Sequence, residues 1–336
     1  MAPNGSTFDR VSTFVHRLAK ALRYSEGMNR IFRSSTRFLA ALLLLFTGPA
    51  IAQQSQSAPP LVSIPVTGQV LRPALWQVSD GDTTIFLFGT IHALPQGMVW
   101  LTGPVAATLD ASDELVTEIP ELQPDQVQAA VLDRALLPAG QTLRGLLSPT
   151  ESTAYDAAMS ANGLPPIAFD RRKPWYAALA LTTLPLMREG YAVENGVEGA
   201  LTARMKELKR PHTGLETMEF QLGIFDNLPQ ATQLQYLNEV VKGQGEIKAQ
   251  LDAMVAEWGQ GNAEQLALLM TEDEGDDPAM REALFTSRNR SWTGWIEQRL
   301  ARPGTVFIAV GAGHLAGTDS VLDMLGKRGL KVERLQ

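Results

Sequence analysis

Apolar residues along this chain fall into strand-length runs at the two ends of its main body and into helix-spaced faces between them. Near residue 75, "LWQVSDGDTTIFLFGT" sets two β-prone runs around Asp80-Gly81-Asp82, which predicts a hairpin. The second run breaks at Gly89, and His92 follows three residues later. Thr102 is placed to cap a helix through about Ala111, and "DELVTEIP" reads as a buried strand ending near Glu118 and closed by Pro120. The far end repeats this grammar. "GTVFIAV" is a strand, Gly311, Gly313 and His314 come after it, and Thr318 or Asp319 is placed to cap a helix through about Lys327. Gly329 ends that helix, and "LKVERL" is the last strand. Each end reads strand, G-x-x-H, helix, strand, an internal duplication of supersecondary structure.

The middle is patterned for helices. Ser148-Pro149-Thr150-Glu151 is a capping box with proline at the first helical position. "PWYAALALTTLPLMREG" has a wide apolar face broken by Pro185, and "NGVEGALTARMKELKRP" has amphipathic spacing. "HTGLET" is a short strand candidate between helices. Residues 218 to 270 predict two or three further helices, broken at Gly243, Gly245, Gly259 and Gly261, and "SRNRSWTGWIEQRL" is the final helix before the last strands. The expected fold is α/β: a central sheet built from two strand–GxxH–helix–strand units at the N- and C-terminal ends, with a large helical insertion between them at about residues 121–300.

Ahead of this body, Arg37, the apolar stretch Phe38 to Phe46 and Ala50-Ile51-Ala52 follow the order of a secretory signal, with cleavage expected after Ala52. Met28 would begin a leader of ordinary length and is the expected start. Residues 53–70 read as a flexible polar lead-in, and 71–336 as a single domain. The apolar stretch is shorter than the about 20 residues a bilayer span requires, and no later segment is a transmembrane candidate. The protein is therefore expected to be exported and periplasmic. Without cysteine it has neither disulfides nor thiolate chemistry. Removing the first 52 residues leaves 22 Lys/Arg against 34 Asp/Glu, a net charge of −12. Such a balance argues against a nucleic-acid or anionic-membrane partner. The expected partner is a peptide or small-molecule substrate.

Beyond the leader there are three histidines, His92, His212 and His314. His92 and His314 occupy matched positions just past buried strands, at the sheet edge where ligands bind in open α/β folds. Gly89, Gly311 and Gly313 shape the loops, letting the backbone turn off the strand and approach a ligand. Glu118 ends the strand after the first unit and can share that rim, with Glu216 as second choice. Two imidazoles and a carboxylate, with positions left for water, suit a hydrolytic divalent metal, Mn, Co or Zn. The same set suits a metal-free hydrolase in which a histidine acts as general base oriented by Glu118. Backbone N–H groups near Gly311 are candidate oxyanion donors. Arg171, Arg172 and Lys173 could form an anion pocket for substrate, with Arg288 and Arg290 a similar cluster. Trp292 and Trp295 read as core, and His212, in a basic loop, as surface. G-x-S-x-G, P-loop and H-E-x-x-H motifs are absent.

At these residues the chain resembles the TraB/GumN family, which includes the PrgY pheromone-shutdown proteins. "FLFGTIHALP", "DELVTEIP", "RRKPWYAAL", "GVEGALTARMKELKRPHTGLETMEFQLGIFDNLP", "RNRSW" and "VFIAVGAGHLAG" match in the family's order. That family is similar to the Tiki metalloproteases and, more distantly, to the erythromycin esterase and ChaN-like group. The resemblance implies an α/β core of two G-x-x-H repeats with a helical insertion and a metal-dependent peptidase. Its motif histidines fall on His92 and His314 and its acidic strand end on Glu118. Glu198 departs from the aspartate expected there. The expectation is a periplasmic metal-dependent hydrolase, peptidase-like. The alternatives are a metal-free His/Glu hydrolase of the esterase type and a non-catalytic peptide- or haem-binding protein.

Overall fold

The computed structural model of the protein describes residues 70–271 and 278–336. The expected leader and nearly all of the lead-in lie outside them. The strands are β1 (Leu75–Ser79), β2 (Thr83–Thr90), β3 (Leu94–Pro95), β4 (Glu114–Thr117), β5 (Tyr191–Ala192), β6 (His212–Gly214), β7 (Gly304–Gly311) and β8 (Val332–Arg334). Six of them form one sheet in the order β6-β4-β7-β2-β1-β8, and β3 pairs with β5 separately. β2 and β7 run parallel in register from Thr83↔Gly304 to Thr90↔Gly311. β4 is parallel to β7 and to β6, whereas β1 runs antiparallel to both β2 and β8. The hairpin explains that reversal, since a three-residue turn can only send the chain back beside itself.

The two repeated units interleave. β4, from the first, lies beside β7 of the second, while β8 is separated from β2 by the inserted β1. β2 and β7 are almost wholly buried because helices cover both faces of the sheet, and such strands carry continuous apolar runs. The side chains still alternate. Phe86, Phe88 and Phe307 pack on one face with Trp100, Leu109, Leu201 and Trp258, whereas Ile85, Leu87, Val306 and Ile308 meet Trp292, Ile296 and Leu325 on the other. Trp258 also donates its indole N–H to the Gly89 carbonyl at 2.8 Å.

The longer helices are α1 (Gly103–Ala111), α2 (Pro124–Arg134), α3 (Pro149–Ala161), α4 (Pro174–Arg188), α5 (Val197–Glu207), α6 (Met218–Asp226), α7 (Gln230–Gly243), α8 (Ile247–Gly259), α9 (Ala263–Thr271), α10 (Ser287–Leu300) and α11 (Val321–Lys327), and a single turn, Pro278–Arg281, precedes α10. The expected capping box opens α3, with Glu151 N–H on Ser148 Oγ and Ser148 N–H on Glu151 Oε2. Several expectations need correction. Residues 218–271 hold four helices, not two or three, because the boundary between Asp226 and Gln230, at Pro229, has no glycine to mark it. The cap of α11 is Ser320, whose Oγ accepts from Asp323 N–H, while Asp319 lies at φ +58. Pro185 does not break its helix. It lies in the last turns of α4, and the Leu181 carbonyl four residues back accepts instead from Gln244 Nε2 at 2.6 Å. A third core, containing Tyr155, Trp175, Phe225 and Leu237, belongs to the helical insertion.

The loop after β2 is fixed by the start of α5. Val197 N–H donates to the Ile91 carbonyl at 3.1 Å, and a Cβ on Gly196 would sit 2.2 Å from the His92 carbonyl oxygen. Because that neighbour is backbone, it cannot swing aside. Gly196→Ala is therefore expected to lower the unfolding free energy by about 1–3 kcal/mol, an overpacking cost. Gly199→Ala, one turn along the same helix with its nearest neighbour at 3.8 Å, should stabilise by up to about 1 kcal/mol. Urea midpoints at constant m-value measure both.

Candidate functional site

The C-terminal ends of the parallel strands converge on Gly311. A Cβ there would lie 3.1 Å from Glu118 Oε1, 3.5 Å from His314 Cδ2 and 3.8 Å from His92 Nε2. Three residues chosen from sequence thus meet at one point. Gly89, Gly311 and Gly313 are needed for space and not for an unusual turn: none has a positive φ. A Cβ on Gly89 would come within 3.0 Å of Ala312, and one on Gly313 within 2.2 Å of Met270 Cε.

Arg288, in the first turn of α10, is almost fully buried, and all five of its N–H groups are committed. Nε donates to Glu216 Oε1 at 2.9 Å, and Nη2 donates to Glu118 Oε2 at 2.6 Å and Glu216 Oε2 at 2.9 Å. Nη1 reaches the Leu284 carbonyl and His314 Nε2, each at 3.1 Å, and the guanidinium lies 4.7 Å from the centroid of Trp292. Glu118 also accepts from Gln221 Nε2 at 2.9 Å and from Gly311 N–H at 2.8 Å. Burial alone would raise its pKa, but Arg288, the two imidazoles and the Gly311 amide outweigh it and hold the carboxyl at about 2.

The tautomer of His314 follows from its partners. Asn289 Nδ2 donates to the Asp319 carbonyl at 2.8 Å, which turns Asn289 Oδ1 toward His314 Nδ1 at 2.6 Å. Nδ1 therefore carries the proton, and Nε2 accepts from Arg288. Burial, followed by the Arg288 charge, pushes the His314 pKa down to about 3. This imidazole is a neutral acceptor between Phe285 and Trp292, at ring distances of 5.0 and 4.5 Å.

His92 is held differently. Its Nδ1 lies 2.5 Å from Glu198 Oε1, to which Thr90 Oγ1 also donates at 2.5 Å. Glu198 is in the first turn of α5. His92, Glu118 and Glu198 line a cavity of about 300 Å³ together with Thr117, Lys206 and His212. His212 corrects its surface assignment: it is half-buried in β6, its Nε2 is 2.7 Å from Thr117 Oγ1, and burial lowers its pKa. As Thr117 Oγ1 donates to the Ile119 carbonyl at 2.6 Å, it accepts from His212 and braces the backbone on both sides of Glu118.

The remaining candidates do not line this cavity. Arg171 binds the carbonyls of Leu137, Pro138 and Gln141. Arg172 lies over the Tyr176 ring, Lys173 pairs with Asp226 at 2.5 Å, and Arg290 pairs with Glu282 at the surface. Arg288 and Glu216 are in the site but serve each other, and the Gly311 amide, a candidate oxyanion donor, is taken by Glu118. Glu198, Asn289 and Gln221 complete the site. Glu198 carried a visible signal, an acid in "GVEGAL", but one that also fits an ordinary first-turn acid of a helix.

The donor set can be tested against the expected divalent metal. His92, backed by Glu198, has the carboxylate–histidine arrangement that commonly stands behind a ligand. His314 does not fit. Its Nε2 lone pair is directed at a guanidinium, and its Nδ1 is occupied by Asn289. Three of the four Glu118 lone-pair directions are filled by Arg288, Gln221 and Gly311. Among the described residues, no group of three or more His, Asp or Glu is placed to hold one ion. Arg288 supplies the cation of this centre.

A family model described as the TraB/PrgY/gumN family matches residues 74–334. The chain is 24% identical over 253 residues to "Uncharacterized protein YbaP" of Escherichia coli (strain K12), covering 75% of this chain and 92% of that one. It is 23% identical over 273 residues to an "Uncharacterized protein" of Treponema pallidum (strain Nichols), covering 76% and 80%. No solved structure matches it.

Removing the cation should strand two buried carboxylates. Arg288→Met is expected to lower stability by about 3–5 kcal/mol, and adding Glu118→Gln to it should recover part of the loss in a double-mutant cycle of urea unfolding. Acid acts on the same cluster. His314 binds its proton near pH 3 when folded and near its ordinary 6.5 when unfolded, so between those values the unfolded chain holds more protons and stability falls as pH falls. The slope from this group is about 1.4 kcal/mol per pH unit. Glu118 adds a loss in the same direction between about 4.5 and 2. Urea midpoints from pH 7 to 4 should fall in the parent and fall less in His314→Gln.

Proposed function

Since the chain belongs to the TraB/PrgY/gumN family and sets a histidine–carboxylate pair in the wall of a cavity, we propose that it is a hydrolase of acyl compounds, peptide amides or esters, with water as nucleophile. The observation that carries this reading is the His92 Nδ1 to Glu198 Oε1 contact of 2.5 Å beside the ionised Glu118. Glu198 keeps the proton on Nδ1, so Nε2 is the basic nitrogen. A water bound there gives a proton to Nε2 as its oxygen adds to the acyl carbon. Collapse of the tetrahedral adduct breaks the bond to the alkoxide or amine, which takes that proton from Nε2. The imidazolium formed between these steps lies close to two carboxylates, Glu198 and Glu118, whose charges stabilise it. Glu118 is fixed in its ionised form by Arg288, Gln221 and Gly311, and His314 holds Arg288 in place from the other side.

The metal-free form of the reaction suits these side chains better than the metal-dependent form, because an ion shared by His92, Glu118 and His314 would have to displace Arg288. An export leader at residues 1–52 would place the reaction in the periplasm. The purified chain from residue 53 onward, assayed on neutral peptide amides and aryl esters, is expected to turn over. His92→Ala should reduce kcat/KM by about 10²–10⁴-fold, and Glu198→Gln should reduce kcat more than it raises KM. Activity should survive exhaustive chelation. Loss on chelation with recovery in Mn, Co or Zn would assign the chemistry to a metal, and an unchanged rate in His92→Ala would remove His92 from it.

A further inference from the structure

His92 and Glu198 share the cavity wall with apolar side chains: Ile119, Pro120 and Leu122 after β4, Val127 of α2, and Val193 and Met218. At about 300 Å³ it stands at the small end of ligand clefts, which span about 300–1,000 Å³. Its charges are one-sided. Among the described residues Lys206 is the one Lys or Arg that lines it, and Lys206 is 2.6 Å from Glu121, both side chains being exposed to solvent. Glu118, Glu121 and Glu198 line it too, and Glu216 lies directly behind, sharing Arg288 with Glu118. An anionic group moving inward would lose hydration, find no free cation, and approach carboxylates across a medium that screens poorly. A cationic group would lose hydration against the same apolar walls, where Glu118 is already neutralised by Arg288 and Glu198 Oε1 is already shared by His92 and Thr90. An uncharged apolar group gains from burial at every step.

We infer that this cavity takes an uncharged apolar group attached to the scissile carbonyl, an aliphatic acyl chain or an apolar amino-acid side chain, and that Val127 is part of the wall against which it packs. The inference rests on the hydrolase reading for the reaction, but its claim about the cavity is separable from it. Two substrate series distinguish the sources of the apolar group. In p-nitrophenyl esters, hexanoate should exceed the anionic hemisuccinate at least tenfold in kcat/KM. In N-acetyl amino-acid p-nitroanilides, leucine should exceed both aspartate and lysine by the same margin. Val127→Trp should lower the hexanoate-to-acetate ratio at least tenfold, and Val193→Phe serves if that protein does not fold. Preference for the acidic or the basic member, or no discrimination in either series, overturns the inference and leaves the hydrolase reading standing. If nothing is turned over, the hydrolase reading fails, and ligand binding then decides the inference. Saturation-transfer NMR should detect 2-hexanone on the parent protein, displaced in Val127→Trp, and not 4-oxopentanoate. Binding of the oxoacid, or of neither, overturns it.

Discussion

One guanidinium holds this site together. Arg288 is buried between Glu118 and Glu216, with a carbonyl and a neutral imidazole taking its remaining protons. A buried charge is tolerated only when it is both paired and fully hydrogen-bonded, and here those partners come from just past β4 and β6, from the segment leading into α10 and from the turn after β7. Displacing any one of these elements leaves an unmatched charge or donor in the interior. The network therefore fixes the geometry of the strand ends more firmly than apolar packing, which tolerates small shifts, could do alone. It also keeps Glu118 ionised and His314 neutral, so the three side chains that converge at Gly311 have distinct electrostatic roles despite their proximity.

The two histidines show how matched sequence positions can diverge. Both follow a parallel strand, and both sit on the rim of the sheet. His314 is enclosed by Phe285, Trp292, Asn289 and Arg288, and its basic nitrogen is already an acceptor. His92 faces the cavity with a carboxylate behind it. The duplication supplied two equivalent frames, and the elements packed on each, α10 over one and α5 beside the other, enclosed one imidazole and left the other lining the cavity.

Much of the architecture was legible in the sequence because its signals are local. The apolar runs of β2 and β7 end at glycines, the hairpin between β1 and β2 turns on Asp80-Gly81-Asp82, and the α3 capping box is written in four consecutive residues. His92, Glu118 and His314 were legible because strand ends in α/β sheets point to a common edge. Other features depend on contacts that no local pattern records. "SRNRSW" looks like an exposed basic helix start, yet Arg288 is its most buried side chain, since its partners lie 72 and 170 residues away. "KRPHTG" looks like a surface loop because β6 is too short to show alternation, and so His212 was misplaced. The helix continues through Pro185 because Gln244, just past the end of another helix, satisfies the carbonyl that proline leaves open.

The position of β7 carries a consequence for how the chain comes to be folded. It is inserted between β4 and β2, not added at an edge, and Thr83 is 219 residues from the Arg302 carbonyl it binds just ahead of that strand. During synthesis, β2 and β4 emerge early with their inner hydrogen-bonding edges unmatched, and they stay so until the C-terminal segment arrives. Order of this kind makes assembly slow, because distant pairing must overcome a long loop closure first. It also means that a nascent or clipped polypeptide lacking its last portion holds Glu118 with no Arg288 and His92 with no facing strand. The cluster around Gly311 is completed in the same event that closes the sheet, so neither forms without the last portion of the chain.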